Sequence, residues 1–318
     1  MGRSKLTLVF ITILTSAIVQ GAAGRLASAA ALEEPRLTAD MLITREVKLP
    51  IRQWQAKIKP IAVIIAVHGL NDYSKAFAAP AQAFAAAGIL TYAYDQRGFG
   101  LNPNRGIWHG TKSMSDDLMA MVAAVKARHP RLRIYVLGES MGGAIAMVTM
   151  CRDDAPHIDG LILSAPAVGQ EIPPEQQAIM WLGEHVVPGI TIGRRRGVPP
   201  ATDNNQVLRA LQDDPYVPRA TRVDTLIEVA QLMAKASDAA PGIKGRVLLL
   251  YGQRDPYVSA SQVNSAADAM RSSGRADVAF RTYDRGYHLL LRDLHAEAVI
   301  GDIIAWVSGR PLQMRPFN

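Results

Sequence analysis

The sequence predicts an α/β fold with a mostly parallel, doubly wound sheet and an inserted helical segment. Short apolar runs without polar alternation, at 61–67 and 89–94, indicate strands that are buried on both faces by helices. Helical patterns follow these runs, and alternation of strand and helix is typical of doubly wound folds. The alternation stops over 167–240 and resumes at 246–251, which predicts a mainly helical cap inserted into the fold.

The other elements follow the same order along the chain. Pro80 begins a helix that Gly88 ends. Further helices are predicted over 114–128, 221–236 and 294–307, and further strands over 133–137, 158–163 and 276–283. The 318 residues suffice for one large α/β domain with an insertion. The predicted segments are a signal peptide (1–29), the first part of the core (30–166), the cap (167–240) and the second part of the core (241–318).

The N-terminus has the three zones of a secretory signal. Arg3 and Lys5 precede an apolar stretch over 6–19, and small residues follow, with Ala27-Ser28-Ala29 as the preferred cleavage site. The apolar stretch is short for a membrane span. We therefore expect an exported protein, periplasmic or secreted, and the alternative is a protein anchored by an uncleaved N-terminal segment.

Composition argues against several classes of protein. The formal charge is +7, and removal of Arg3, Lys5 and Arg25 with the signal would leave 7 − 3 = +4. No Lys/Arg-rich run is interleaved with aromatics, so nucleic acid is not an expected partner. Cys151 is the single cysteine, which excludes an intrachain disulfide and a cysteine-based zinc site. We expect Cys151 to be a small buried apolar residue, and we predict neither a cofactor nor a metal.

One serine lies in the tightest glycine spacing of the chain. Gly138-Glu-Ser-Met-Gly142 matches G-x-S-x-G between a predicted strand and a predicted helix. Such a turn strains the backbone of the serine, needs small neighbours, and exposes the hydroxyl at the carboxyl end of the sheet. Ser140 is therefore the candidate nucleophile. The alternative is a glycine-rich turn whose serine only caps the helix.

A serine nucleophile needs a base and an orienting carboxylate on later strand ends, in the order serine, acid, histidine. Asp255 directly follows the strand over 246–251, and His288 directly follows the strand over 276–283. We predict Asp255 as the acid and His288 as the base. Asp284 is the competing carboxylate, but it is too close in sequence to His288 to come from a separate strand end.

An oxyanion hole needs two backbone N–H donors. Met141, after the nucleophile, supplies one candidate, and Leu70, in the loop after the first long strand, supplies the other. The alternative is that His68-Gly69-Leu70 is merely a turn. We expect His68 to shape the loop beneath the serine, and Glu139 to pack under the sheet edge.

These residues resemble the monoacylglycerol lipase/lysophospholipase branch of the α/β-hydrolases, also called the serine aminopeptidase S33 or hydrolase-4 group. The motifs are HGLNDYS (68–74), YDQRGFG (94–100), GESMGG (138–143), SAP (164–166), GQRDPYV (252–258) and YDRGYH (283–288). The resemblance implies an α/β-hydrolase fold, a Ser140–Asp255–His288 triad, an oxyanion hole from Leu70 and Met141, a helical cap and an acyl-ester substrate. Asn102 departs from the serine usual in relatives, whereas QDDPYV (212–217) is similar to their NDP element.

The cap sequence bears on the substrate. The apolar segments 179–182 and 186–192 would either line an acyl pocket or form the core of the cap itself. Arg194-Arg-Arg196 would either meet anionic lipid headgroups at a membrane surface or form a solvated turn.

The sequence therefore predicts a serine hydrolase that cleaves carboxylic esters, of monoacylglycerol or lysophospholipid type, through an acyl-enzyme. Three alternatives stay open. A peptidase or amidase, and an acyltransferase, would share the same triad, and a non-catalytic binding protein would share the fold alone.

Overall fold

The computed structural model describes residues 34–169, 189–193 and 199–312, together with the single positions 173, 175 and 180. The predicted signal segment, most of the apolar segment 179–182 and the arginines at 194–196 lie outside the described residues. Within the described part of the chain, no helix has the length and apolar character needed to cross a membrane.

Strands and helices alternate through most of the described chain. The strands are β1 (Arg36–Leu37), β2 (Met41–Ile43), β3 (Lys48–Trp54), β4 (Ala62–Val67), β5 (Ile89–Tyr94), β6 (Arg133–Glu139), β7 (Gly160–Ser164), β8 (Thr191–Gly193), β9 (Ala220–Arg222), β10 (Gly245–Gly252) and β11 (Ala276–Tyr283). The α-helices are α1 (Ala78–Ala86), α2 (Thr111–Arg128), α3 (Met141–Met150), α4 (Asn205–Asp213), α5 (Val223–Ala239), α6 (Ala260–Ser272) and α7 (Ala296–Val307).

The central sheet has nine strands in the order β1-β2-β3-β5-β4-β6-β7-β10-β11. Six neighbouring strands of this sheet are parallel to one another: β5, β4, β6, β7, β10 and β11. At the end of the sheet next to β5, the strands β3, β2 and β1 pair antiparallel. The predicted fold class, an α/β-hydrolase fold with a mostly parallel sheet, is confirmed. The sequence did not predict β1 to β3, because these strands are short or only partly buried and lack a continuous apolar run.

Helices cover both faces of the sheet, as the apolar strands require. Along β4, Val63, Ile65 and Val67 pack with α2, α3 and α6 in one core cluster. The alternate residues Ile64 and Ala66 pack with α1 and α7 in a second cluster. Every residue of β4 is buried because successive side chains point to opposite faces, each covered by helices.

Several predicted elements agree closely with the observed ones. Strands β5 and β11 have the predicted bounds, and the helix predicted over 114–128 begins three residues earlier, at Thr111. Helix α6 was not predicted, although its N-terminus carries a readable signal. Ser259 and Gln262 form a capping box there, with each side chain bonded to the backbone of the other.

The predicted cap segment holds helices α4 and α5 and a small antiparallel pair, β8 with β9. Helix α5 packs on α3, the helix that follows Ser140. The exact boundaries of the cap stay a prediction. Of the apolar segment 186–192, the described side chains of Ile190 and Ile192 are exposed, by 55% and 39%, so these two do not form a core.

Candidate active site

Four strands deliver the predicted site residues to one edge of the sheet. Because β4, β6, β10 and β11 run parallel, their carboxyl ends lie together. The chain leaves β4 at His68, β6 at Ser140, β10 three residues before Asp255, and β11 five residues before His288. This edge is where open α/β sheets bind ligands.

Ser140 occupies a strained turn between β6 and α3. Its φ of 54° and ψ of −119° are rare for a residue with a side chain. Glycine is required on both sides because the chain crowds there. A Cβ on Gly138 would lie 2.6 Å from the carbonyl oxygen of Gly142, and a Cβ on Gly142 would collide with the backbone of Val67. The Ser140 side chain makes no capping bond to α3, which argues against the helix-cap alternative.

The structure brings Ser140, His288 and Asp255 together in one hydrogen-bonded line. Oγ of Ser140 lies 2.8 Å from Nε2 of His288, and Nδ1 of His288 lies 2.7 Å from Oδ2 of Asp255. Since a carboxylate only accepts, Nδ1–H donates to Asp255, and Nε2 of the neutral ring is free to accept from the serine hydroxyl. The arrangement can move a proton from Ser140 to His288.

Asp255 is held firmly in place. Its Oδ1 accepts the N–H groups of Tyr257 and Val258 at 2.8 and 3.1 Å, and its side chain is fully buried. The ring of Tyr257 packs edge-on against His288, with ring centroids 5.1 Å apart. The competing carboxylate, Asp284, is exposed to solvent and is not part of this line.

The loop after β4 lies directly against Ser140. A Cβ on Gly69 would lie only 3.3 Å from Cβ of Ser140. A side chain at position 69 would therefore not easily fit between the loop and Ser140. Leu70 and Met141 both line the cavity above Ser140. Met141 is the first residue of α3, so its N–H has no acceptor within the helix and is available to an anion.

His68 fastens this loop from below. It is fully buried, and its Nε2 accepts the N–H of Gln96 at 3.0 Å, so Nδ1–H donates to the carbonyl of Gly69 at 2.8 Å. Burial lowers the pKa of His68, which keeps the ring neutral and preserves this pattern. His68 therefore shapes the loop and lies apart from the proton path between Ser140 and Asp255.

Asn102, the departure from related sequences, has a structural role. Its buried amide donates to three carbonyls, those of Asp95 (2.7 Å), Gln96 (3.0 Å) and Phe99 (3.1 Å). The side chain of Asp95 in turn accepts the N–H of Leu101 at 2.8 Å. Asn102 thus closes the loop after β5, and nothing in its contacts directs it at Ser140.

A cavity of about 420 Å³ opens above Ser140. Its wall on the cap side is apolar and consists of Leu211, Val217, Val229 and Met233. The polar residues Asn71, Asp72 and Glu139 line another part of the cavity. The cavity therefore suits a molecule with an apolar chain and a polar end.

The cap is tied to the loop after β4 by hydrogen bonds. Asp214, within the QDDPYV element, accepts from the hydroxyl of Tyr73 and from Nζ of Lys75, both at 2.8 Å. Nδ2 of Asn71 donates to Oγ1 of Thr221 at 2.6 Å. These bonds hold the apolar cap wall over the site, and the sequence indicated Asp214 only through its resemblance to the NDP element.

Two expectations need correction in detail. Glu139 was expected under the sheet edge, but it ends β6, lines the cavity and forms a 2.6 Å ion pair with Arg292. Cys151 is only half-buried, and its thiol donates to the carbonyl of Val148 at 3.2 Å. Burial raises the pKa of Cys151, which keeps the thiol protonated and unreactive.

Sequence reasoning missed Arg292 and Asp72. Arg292 forms a second ion pair with Asp72, at 2.7 Å, in addition to that with Glu139. A signal was present, because Arg292 is a lone cation directly after the apolar run Leu289-Leu-Leu291, where a charge needs a buried partner.

Comparison with known proteins shows which family and which individual chains this sequence is similar to. The family described as "Serine aminopeptidase, S33" matches residues 58–295. A monoacylglycerol lipase of Mycolicibacterium smegmatis is 25% identical over 268 residues, which cover 80% of this chain and 90% of the relative. A monoglyceride lipase of Rattus norvegicus is 26% identical over 268 residues, covering 81% and 86%.

Among solved structures, a soluble variant of monoglyceride lipase from Saccharomyces cerevisiae, in complex with a substrate analog, has a TM-score of 0.70. It is 17% identical, and the match covers 87% of this chain and 97% of that one. At this identity the likeness concerns the fold alone.

Proposed function

We propose that the chain, which belongs to the serine aminopeptidase S33 family, is a serine hydrolase that cleaves carboxylic esters of monoacylglycerol type. The observation that carries the proposal is the continuous line from Ser140 through His288 to Asp255, with links of 2.8 and 2.7 Å. A hydroxyl, an imidazole and a carboxylate in this order are the parts that nucleophilic acyl transfer requires.

In the proposed reaction, Oγ of Ser140 attacks the ester carbonyl while Nε2 of His288 takes the hydroxyl proton. The N–H groups of Leu70 and Met141 donate to the oxygen that becomes negative. His288 then returns the proton to the leaving alcohol, and an acyl-enzyme remains on Ser140. A water molecule, deprotonated by His288, attacks the acyl-enzyme, and His288 passes this proton to Oγ of Ser140 as the acid leaves. Asp255 orients His288 and stabilises its positive charge throughout.

The shape of the cavity supports a substrate with an acyl chain. The apolar cap wall would hold the chain, and the polar part of the cavity with Asn71 would face the alcohol portion. The relatives named as monoacylglycerol and monoglyceride lipases support the same class of substrate.

The test compares the wild type with Ser140→Ala. We expect a fluorophosphonate probe to label the wild type and to leave Ser140→Ala unlabelled, and turnover of p-nitrophenyl esters to fall about 10⁶-fold. Ser265→Ala, which changes an exposed serine on α6, is the matched control and should keep both properties. Retention of most esterase activity by Ser140→Ala would contradict the proposal.

A second assay separates the open alternatives. Aminoacyl anilides are offered beside the p-nitrophenyl esters, and hydrolysis is compared with acyl transfer to added glycerol. Faster cleavage of the anilides would favour a peptidase, and transfer exceeding hydrolysis would favour an acyltransferase. A wild type that the probe never labels would favour a non-catalytic binding protein.

We propose further that the chain is exported and contacts lipid surfaces through its cap. The charged, apolar and small-residue zones of the N-terminus support export. The exposed side chains of Ile190 and Ile192 support the contact. The mass of the mature chain tests signal cleavage, and reduced co-sedimentation of an Ile190→Ser/Ile192→Ser variant with lipid vesicles tests the contact.

A further inference from the structure

Three buried charges lie behind the nucleophile in one cluster. Nη1 of Arg292 lies 2.7 Å from Oδ2 of Asp72, and Nη2 of Arg292 lies 2.6 Å from Oε1 of Glu139. The side chains of Arg292 and Asp72 are each 8% exposed, and that of Glu139 is 1% exposed. Charge-assisted pairs are stronger at such low exposure, because the effective dielectric constant there is lower than in water.

Each member of the cluster comes from a different segment of the site. Asp72 lies two residues after Leu70, and Glu139 lies two residues before Met141. Arg292 lies in a short 3-10 helix (Leu290–Arg292) that begins two residues after His288. One guanidinium therefore connects the two segments that carry the proposed oxyanion donors, and it is itself anchored close to His288 in sequence.

The electrostatics favour a permanently charged arginine at this position. Burial alone would lower the pKa of Arg292, but the charges of Asp72 and Glu139 outweigh this effect and raise its pKa. The cluster thus holds one positive and two carboxylate charges. Without the guanidinium, two buried carboxylates would face each other and push their segments apart.

We propose that Arg292 is a positioning residue that sets the spacing between the Leu70 and Met141 N–H groups. The planar fork of the guanidinium holds two carboxylates at a fixed separation, which the single ammonium of a lysine does not reproduce. The inference rests on the proposed function, because the spacing matters only if these N–H groups bind an oxyanion. Arg292 itself is not among the residues that line the cavity, so we expect its replacement to act mainly on the transition state and less on substrate binding.

The test is Arg292→Lys. Active sites are counted by titration with a fluorophosphonate, so that kcat is calculated per competent active site. We expect kcat per titrated site to fall about 10- to 100-fold, with KM changed by less than about threefold. The affinity for an alkyl trifluoromethyl ketone, whose adduct places an oxyanion between the two donors, should fall by the same factor as kcat/KM. A change confined to folding would leave both quantities intact.

Three further variants make the outcome decisive. Arg97→Lys is the matched control, because Arg97 makes a bidentate pair with Asp117 at 2.7 and 2.8 Å and does not line the cavity. It should lower the melting temperature without changing kcat per titrated site. Glu139→Ala removes one partner of Arg292 and should reproduce the fall in kcat, whereas Glu139→Gln keeps an acceptor and should restore most of it.

The outcomes also separate this inference from the proposed function. Unchanged kcat per titrated site in both Arg292→Lys and Glu139→Ala would overturn the positioning role while leaving the ester hydrolase intact. If Arg292→Lys does not fold, Glu139→Ala alone decides. Failure of the probe to label the wild type would instead overturn the proposed function.

Discussion

Gly252, the last residue of β10, and Gly286, three residues after the end of β11, meet backbone to backbone just before Asp255 and His288. A Cβ on Gly252 would lie 2.5 Å from the carbonyl oxygen of Tyr287 and would also collide with the carbonyl of Gly286. The N–H of Arg254 donates to the carbonyl of Gly286 at 2.9 Å, which joins the two loops directly. The distance between Asp255 and His288 therefore depends on a contact that only glycine allows.

Gly252→Ala should separate the two loops, because the colliding atoms belong to the backbone and no rotamer change relieves them. We expect kcat for p-nitrophenyl butyrate to fall at least about tenfold, since small misplacements of catalytic groups are costly. Gly301→Ala is the control. Gly301 lies in α7 with nothing within 4 Å of an added Cβ, so this change should leave kcat unchanged and raise the melting temperature.

Asp255→Asn should lower kcat about 10⁴-fold, the loss typical when the acid of a comparable triad becomes an amide. The asparagine side chain presents either its NH2 group or a weaker carbonyl acceptor to Nδ1 of His288. The tautomer of His288 that carries its proton on Nδ1 is then no longer favoured. Steady-state kinetics on a short-chain ester measures the effect. Asp284→Asn changes the neighbouring exposed carboxylate and should keep full activity, and equal losses in the two variants would contradict the assignment of Asp255.

Asp293 makes the stability of the fold depend on pH. Its carboxylate accepts the N–H of Tyr287, next to His288, at 2.7 Å. Burial raises the pKa of Asp293 to about 6, against the lowering effects of hydrogen bonds from Thr202 and Tyr287. Because the unfolded value is about 4, the folded state holds the proton more tightly between pH 4 and pH 6. Stability is thus lost as the pH rises through this window and stays at its lower level above it.

Asp293→Asn should remove this slope, since an amide neither titrates nor loses its ability to accept from Tyr287. We expect the free energy of unfolding of the wild type, relative to the variant, to fall between pH 4 and pH 7. The fall should be about 1.4 kcal/mol for each unit by which the pKa is raised. Urea unfolding of both proteins at several pH values measures it, and parallel curves would show that Asp293 does not titrate there.

Val229→Trp should shorten the space for an acyl chain, because Val229 lines the cavity from α5. We expect kcat/KM for p-nitrophenyl decanoate to fall at least about tenfold, with the butyrate ester changed by less than about threefold. Lys235→Trp, an exposed change on the same helix, is the control. A uniform loss across chain lengths would indicate that the chain lies elsewhere.

Much of the fold could be read from local patterns. The fully buried runs of β4 and β5 are visible because burial on both faces removes polar alternation. The strand pair β1 and β2 was not visible, since two or three residues carry too little pattern. The apolar cap wall was also missed, because Leu211 and Met233 read as ordinary helix residues until the packing of α4 and α5 over the sheet is known.

The sequence by itself determined the chemistry offered at each strand end: a serine between glycines, a carboxylate after β10 and an imidazole after β11. These features are local, because a strained turn needs its glycines within a few residues. Tertiary structure alone decided which charges met, as in the joining of Asp72, Glu139 and Arg292 from three separate segments of the chain. The physical reason is that strand order and crossover geometry, which no short segment carries, set the distances between residues that lie far apart along the chain.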